Sequence, residues 1–404
     1  DAVHLPVLAS QAREALPDIA ATDHQQPHAA KAPGQWGIIT GLRTDRGHRL
    51  PFTGMTFTVS ITPSGKTVEV DGDTHILEAA LAQGVVLPYG CKNGACGSCK
   101  ARIVAGTIVQ DAHQGSALTA EEERSGYALL CRARAASDLT VQARVVAAVG
   151  EIPIRKLPCR IAGLNRMAPD VIVMKLQLPA NERLQYLAGQ FVDLILRDGT
   201  RRSYSMATAP GAADGIELHL RHLPGGKFTD TLFGAAAPEV KVRDILRLEG
   251  PLGTFFLRED SDKPILMVAS GTGFAPIKAM MERIGIRMEA GGFDRPVTLY
   301  WGGRRPRDLY HDALCRHWMA TIPGFTYVPV VSDALPEDEW SGRTGFVHRA
   351  AMADLPDMSG LQVYACGTPA MVATAECDIV SRCKLPAEEF YADAFTSELD
   401  KHDA

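Results

Sequence analysis

Apolar and polar positions change rhythm along the chain, and each change marks a segment. Residues 1–54 keep neither a helical nor a two-residue period for long, so they read as an irregular leader; Trp36, Ile38 and Ile39 are one short apolar group within it. After Met55 the alternation Thr56-Phe57-Thr58-Val59-Ser60-Ile61 predicts a strand, with a turn at Pro63-Ser64-Gly65. A helix is expected over Thr74–Ala82, stopped by Gly84, and short strands beyond it complete a segment of residues 55–147. Residues 148–157, with Pro153 inside and Pro158 just after, read as a linker.

Across residues 158–260 the runs Val171–Leu176, Phe191–Leu196 and Gly215–Leu220 are short and separated by turn residues, which predicts an antiparallel β-barrel. From 261 to 404 the grammar changes again. Pro264–Ala269, Val297–Trp301, Phe325–Val331 and Leu361–Cys366 are continuous apolar runs that alternate with helical stretches such as Ile277–Ile286. Strands buried on both faces and separated by helices predict a doubly wound α/β domain.

Composition narrows the class without changing this picture. A chain of 404 residues fits two to four domains, and 46% hydrophobic with 22% charged residues is ordinary for a soluble protein. A net charge of -5 argues against nucleic-acid binding. No apolar run reaches the ~20 residues a bilayer requires, and no basic region followed by an apolar core opens the chain. Neither a membrane nor secretion is expected. Three of the nine cysteines fall inside Cys91–Cys99, which suggests metal ligation in a reducing, cytoplasmic setting rather than a disulfide framework.

Cys91-Lys92-Asn93-Gly94-Ala95-Cys96-Gly97-Ser98-Cys99 has the C-x4-C-x2-C spacing of plant-type 2Fe–2S proteins, with Cys131 as the separated fourth thiolate. The loop has to wrap tightly around the sulfurs, and Gly90, Gly94 and Gly97 permit that. A zinc knuckle would show two C-x2-C pairs, and only one is present.

Two further stretches carry candidate chemistry. Arg202-Ser203-Tyr204-Ser205 ends a predicted strand: an arginine fork suits a phosphate, a tyrosine face suits a flat ring, and a hydroxyl beside them can reach that ring's redox nitrogen. Gly225-Gly226-Lys227-Phe228-Thr229 follows, its glycines expected to open a helix and offer N–H groups to a pyrophosphate. Gly271-Thr272-Gly273-Phe274-Ala275-Pro276 joins a buried strand to a helix but departs from G-x-G-x-x-G, since Pro276 takes its last position. Cys366-Gly367-Thr368-Pro369 ends another buried strand at the edge where α/β ligands bind.

The order of these motifs resembles the oxygenase-type ferredoxin–NADH reductases over residues 55–396, and within them the CDP-6-deoxy-Δ-3,4-glucoseen reductases of proteobacteria. Pro88–Cys99, Glu249-Gly250-Pro251-Leu252-Gly253-Thr254-Phe255-Phe256 and Phe390-Tyr391-Ala392-Asp393-Ala394-Phe395 carry the closer likeness. The resemblance implies a β-grasp ferredoxin domain, an FAD barrel and a nicotinamide domain. It implies FAD at Arg202, Tyr204 and Ser205, with Gly226, Lys227 and Thr229 at its phosphates and Phe395 over the isoalloxazine.

It likewise implies nicotinamide dinucleotide at Gly271, Thr272, Gly273, Cys366 and Gly367, with Arg304 and Arg305 at the adenosine half. Ser205, Cys366 and Phe395 are then the expected catalytic residues. NADH is expected, although Arg304, Arg305 and Arg307 leave NADPH open. The implied reaction passes electrons from NADH through FAD and the cluster to an iron-dependent acceptor protein, either a sugar dehydrase or an oxygenase.

Overall fold

Every second residue of the first hairpin faces inward. Val59 and Ile61 of β2 (Thr56–Thr62) and Val68 and Val70 of β3 (Lys66–Asp71) are at most 1% exposed. The computed structural model describes residues 36–39, 54–146, 152–212 and 215–396. Helix α1 (Ile76–Ala82) lays Ile76, Leu77, Ala79 and Ala80 on the hairpin. It starts two residues later than expected, because His75 is extended and its ring is bound 2.8 Å from Asp111.

The long strand β4 (Lys100–Gln110) organises a seven-stranded sheet in the order β1-β4-β7-β2-β3. After α2 (Ala120–Arg124), strands β5 (Tyr127–Leu129) and β6 (Ala133–Ala135) also pair with β4, and β7 is Leu139–Gln142. Strand β1 (Trp36–Ile39) runs parallel to β4, and its Trp36 ring packs on Gly126. The stretch expected to be an irregular leader therefore supplies a strand. Four residues are too few to show a period, and only the pairing with β4 makes them one. The remaining residues before Gly54 lie outside the described set.

Six antiparallel strands follow: β8 (Arg155–Ala168), β9 (Val171–Gln177), β10 (Phe191–Ile195), β11 (Arg201–Ser205), β12 (Ile216–Arg221) and β13 (Ile245–Leu252). Their order is β11-β10-β13-β8-β9-β12, and a bridge between Met206 and Leu218 ties the two edges together. Strand β8 begins inside the stretch expected to be a linker. Between β12 and β13, α3 (Thr229–Leu232) is a single turn, shorter than the helix expected after Gly225-Gly226.

The last sheet is wholly parallel, in the order β17-β16-β15-β14-β18-β19. It comprises β14 (Ile265–Ser270), β15 (Val297–Gly303), β16 (Phe325–Val331), β17 (Arg343–Thr344), β18 (Gln362–Gly367) and β19 (Phe390–Ala394). Helices α4 (Phe274–Glu289), α5 (Asp312–Thr321), α6 (Val347–Asp354) and α7 (Pro369–Arg382) connect them. Residues Ile265 to Ala269 are at most 2% exposed, as a strand covered on both faces requires. The chain builds outward from β14 to β17 and then returns to β14's other side with β18. That reversal opens a crevice at the carboxyl ends of β14 and β18, where such sheets bind ligands. No described helix is long and apolar enough to cross a membrane.

Candidate functional site

The four cysteines expected to ligate come from two segments that β4 draws together. Lys100 pairs with Leu129 across β4 and β5, and Leu130 N donates to Cys99 O at 3.1 Å, which brings Cys131 beside Cys99. Cys91 is held down to about 7 chiefly by its hydrogen bond with Cys96, and Cys131 is lowered by its bond with Cys99. The same bonds, together with burial, push Cys96 and Cys99 up.

Gly94 and Gly97 have φ of 84° and 80°, and a Cβ on Gly94 would lie 2.8 Å from the Arg132 side chain. Among the described residues, three or more ligand atoms within 4.8 Å of one another occur only at Glu217, His219 and His311. The cysteine sulfurs are thus spread wider than one tetrahedral ion would hold them, which fits a dinuclear cluster.

The cluster loop meets both other domains. An ideal Cβ on Gly90 would stand 3.3 Å from Cys96 Sγ and 3.6 Å from Asp393 Oδ1. Ser205 Oγ, at the end of β11, donates to Asp393 Oδ2 at 3.4 Å. The register of β18 and β19 sets Cys366 opposite Asp393, and Phe395 N donates to Gly367 O at 2.7 Å. Ser205, Cys366, Gly367 and Phe395 therefore converge on one place. Asp393 lies among them, although the sequence assigned it no role. Burial chiefly pushes its carboxyl up to about 7, against the pull of the Ser205 hydroxyl. Its signal was a lone carboxylate in the otherwise apolar ending Phe390–Phe395.

The residues expected at FAD sit together along one edge of the second domain. The Tyr204 ring is 6.1 Å from Phe228, and burial raises its phenol. Arg202 NH1 donates to Arg201 O at 2.8 Å. Lys227 Nζ lies 3.2 Å from Asp198, in the turn just before Arg202, so the two motifs are neighbours. A Cβ on Gly226 would stand 2.4 Å from Thr229 Oγ1, while that hydroxyl donates to Leu223 O at 3.0 Å. The single turn of α3 is too short for a full helix dipole.

In the third domain Gly271–Gly273 form one turn of 3₁₀ helix running into α4, which starts at Phe274, three residues earlier than expected. A Cβ on Gly273 would lie 2.2 Å from Cys366 O, so only glycine lets these two strand ends meet. The Arg221 guanidinium reaches the same turn, 2.7 Å from where a Gly271 Cβ would be. Sequence reasoning missed this arginine, because it comes from the barrel and arrives by folding alone.

Arg304 and Arg305 stand at the end of β15, their backbone N–H groups both donating to Asp308 Oδ2 at 2.9 and 3.0 Å. The Arg305 side chain is gripped by both oxygens of Asp338, at 2.5 and 2.9 Å.

Glu217 and His219, both buried, and the half-buried His311 form a separate group between the second and third domains. His219 Nε2 lies 2.9 Å from Glu217 Oε1, and Nδ1 lies 2.9 Å from the Tyr310 hydroxyl. Burial lowers both imidazoles, His311 to about 4, so both are neutral at pH 7. Lys278 Nζ already supplies the cation, 3.1 Å from Glu217 and 2.6 Å from Glu282. The group is an interdomain ion pair with its own counter-charge, not an open metal centre.

Known proteins share this arrangement. Residues 59–136 match the family described as 2Fe-2S iron-sulfur cluster binding domain, 158–257 the oxidoreductase FAD-binding domain, and 267–376 the oxidoreductase NAD-binding domain. The CDP-6-deoxy-L-threo-D-glycero-4-hexulose-3-dehydrase reductase of Yersinia pestis is 39% identical, over 84% of this chain and 99% of its own. Terephthalate 1,2-dioxygenase reductase component 1 of Comamonas sp is 35% identical, over 81% of this chain and 94% of its own. The crystal structure of the Amycolatopsis cytochrome P450 reductase GcoB superposes with a TM-score of 0.64 at 32% identity, covering 85% of this chain and 99% of that one. With a cysteine loop, a barrel edge and a nicotinamide crevice brought to one point, and relatives matched along nearly their whole length, the chain belongs to the NAD(P)H-dependent iron–sulfur flavoprotein reductases, oxidoreductases that join 2Fe–2S, FAD-binding and NAD-binding domains.

Proposed function

We propose that this chain takes electrons from NADH and delivers them one at a time to an iron-dependent partner in the cytoplasm. The observation that supports the reading is the meeting of Gly90 and Cys96 with the Ser205–Asp393 pair and with Cys366, residues we assign to three different cofactors. When bound, FAD takes the electron pair that NADH gives up, and the cluster relays single electrons.

The chain's own residues position these groups. Cys91, Cys96, Cys99 and Cys131 hold the irons. Arg202 pairs with an FAD phosphate, Tyr204 packs on the ring system, and Gly226, Lys227 and Thr229 border the pyrophosphate. Phe395 would cover the ring of bound FAD, and Cys366 and Gly367 would border a bound nicotinamide. Ser205 Oγ and the Asp393 carboxyl hold a proton beside the reacting ring, since burial keeps that carboxyl near neutrality between its two forms.

Sheet order supports NADH over NADPH. With the phosphates at the Gly271–Gly273 turn after β14, as we propose, the nicotinamide would lie on the β18 side, near Ser205. The adenosine end would then fall at β15 and β16, beside Arg304 and Arg305. There Asp338 occupies the Arg305 fork, so that arginine does not offer itself to a 2′-phosphate. We expect kcat/KM to favour NADH at least about tenfold, ~1.4 kcal/mol. Asp338→Asn should narrow the ratio, and adding Arg305→Ala should restore it. A wild-type preference for NADPH would overturn the assignment.

The acceptor follows from relatives. The Yersinia pestis relative is named as the reductase of a hexulose 3-dehydrase, and a dehydrase acting on a nucleotide-linked deoxysugar is the partner we propose. The dioxygenase reductase of Comamonas sp and GcoB support an oxygenase as the second reading. Reconstitution decides between them: the chain with NADH should support turnover of the sugar dehydrase. Turnover of a ring-hydroxylating oxygenase alone would transfer the assignment to the second reading.

A further inference from the structure

The cluster loop is tied to the flavin domain by one residue. Thr254 Oγ1 accepts from Tyr89 N at 2.9 Å and donates to Tyr89 O at 3.1 Å, while Thr254 N donates to the same carbonyl at 3.2 Å. Both main-chain groups of Tyr89 are thus satisfied by a single threonine 165 residues away in sequence. The pair is shielded from water, with Tyr89 3% and Thr254 8% exposed.

Each partner is buttressed on its own side. Gln190, fully buried in the flavin domain, donates to Gly253 O at 3.0 Å and accepts from Leu187 N at 2.8 Å. Lys92 covers the Tyr89 ring at 4.7 Å, and Phe256, two residues past Thr254, packs into the core of the iron–sulfur domain. The next residues after Tyr89 are Gly90 and Cys91, so the contact lies where the chain turns into the cysteine loop.

We propose that Thr254 is a positioning residue for electron transfer between the flavin and the cluster. It rests on the route given above. Each domain has its own core, and their spacing depends on what joins them at this seam: Phe256 in the iron–sulfur core and the Thr254–Tyr89 hydrogen bonds. A β-hydroxyl both accepts and donates, and hence binds the N–H and C=O of one residue like a neighbouring strand. Valine has the same shape and can do neither. Buried and without an acceptor, the Tyr89 N–H then favours conformations that reach water, and the loop opens. Electron transfer weakens steeply as such a gap widens, whereas reduction at the flavin does not involve the loop.

The test uses the full cofactor-loaded chain as wild type, Thr254→Val and Thr254→Ser. Each NADH yields NAD⁺, one proton and two electrons, which reduce two ferricyanides or two ferric cytochromes c. The cluster-dependent rate is the part of cytochrome c reduction that Cys96→Ser removes. Thr254→Val should lower that rate about tenfold, leave ferricyanide reduction within about twofold, and raise hydrogen exchange at the Tyr89 amide about tenfold. Thr254→Ser should restore all three.

Wild-type exchange and cytochrome c reduction in Thr254→Val would overturn the proposal. So would a serine variant as slow as valine, or a parallel loss of ferricyanide reduction. If the wild type reduces neither acceptor, the reductase route fails, while Tyr89 exchange still judges the latch on its own.

Discussion

Replacing Cys96 with serine should erase the visible absorption and EPR signal of the cluster and cut NADH-driven cytochrome c reduction at least about 100-fold. Reduction of ferricyanide, which takes electrons at the flavin, should stay within about twofold. Cys96 sits at the turn of the loop: its sulfur lies 3.4 Å from Cys91 N and from Ser98 Oγ, and a Gly90 Cβ would touch it. Serine keeps the loop's shape but offers a hard oxygen, which is protonated at neutral pH and binds iron poorly beside soft sulfides. The rest of the chain should be undisturbed, because the first domain's core of Val59, Ile61, Ile103 and Leu129 does not involve this side chain. The two activities therefore separate. Parallel loss of ferricyanide reduction with FAD fully retained would show that the flavin does not work without the cluster, and the division of labour would fall.

Ser205→Ala should lower ferricyanide reduction as well, by about 100-fold in kcat, with FAD content and the cluster spectrum unchanged. Ser205 is 4% exposed and lies at the point where β11 meets β19 and the cluster loop. Its hydroxyl donates to the Asp393 carboxyl, and in the proposed mechanism it would link that carboxyl to the reacting ring. Alanine removes only the hydroxyl and keeps the Cβ, so the loss should appear in kcat rather than in NADH binding. Asp393→Asn should fall by a comparable factor, and the double variant should be little worse than either single one, as expected of groups acting as a unit. A Ser205→Ala enzyme within threefold of wild type would remove the hydroxyl from the mechanism.

Much of the architecture was legible before folding because its signals are local. The alternation at Thr56–Ile61 and the apolar run at Pro264–Ala269 each bury their residues through a period that needs no partner to be recognised. The cysteine spacing was equally local, since three of the four thiolates lie within nine residues. The strand Trp36–Ile39 was not legible: its identity as a strand comes from β4, about seventy residues on.

The sequence by itself determined the class of chemistry. C-x4-C-x2-C, R-x-Y-S and the turn at Gly271–Gly273 each depend on neighbouring residues and on backbone freedom that those residues carry with them. Tertiary structure alone decided how the parts meet. Asp393 beside Ser205, Arg221 at the Gly271 turn, Asp338 on Arg305 and Thr254 on Tyr89 join residues from 33 to 188 positions apart. No local pattern encodes such pairs, because each side chain would suit a solvated surface equally well. Burial gives them their meaning: in a low-dielectric junction an unpaired polar group is costly, so each must find a partner, and the fold alone determines which one.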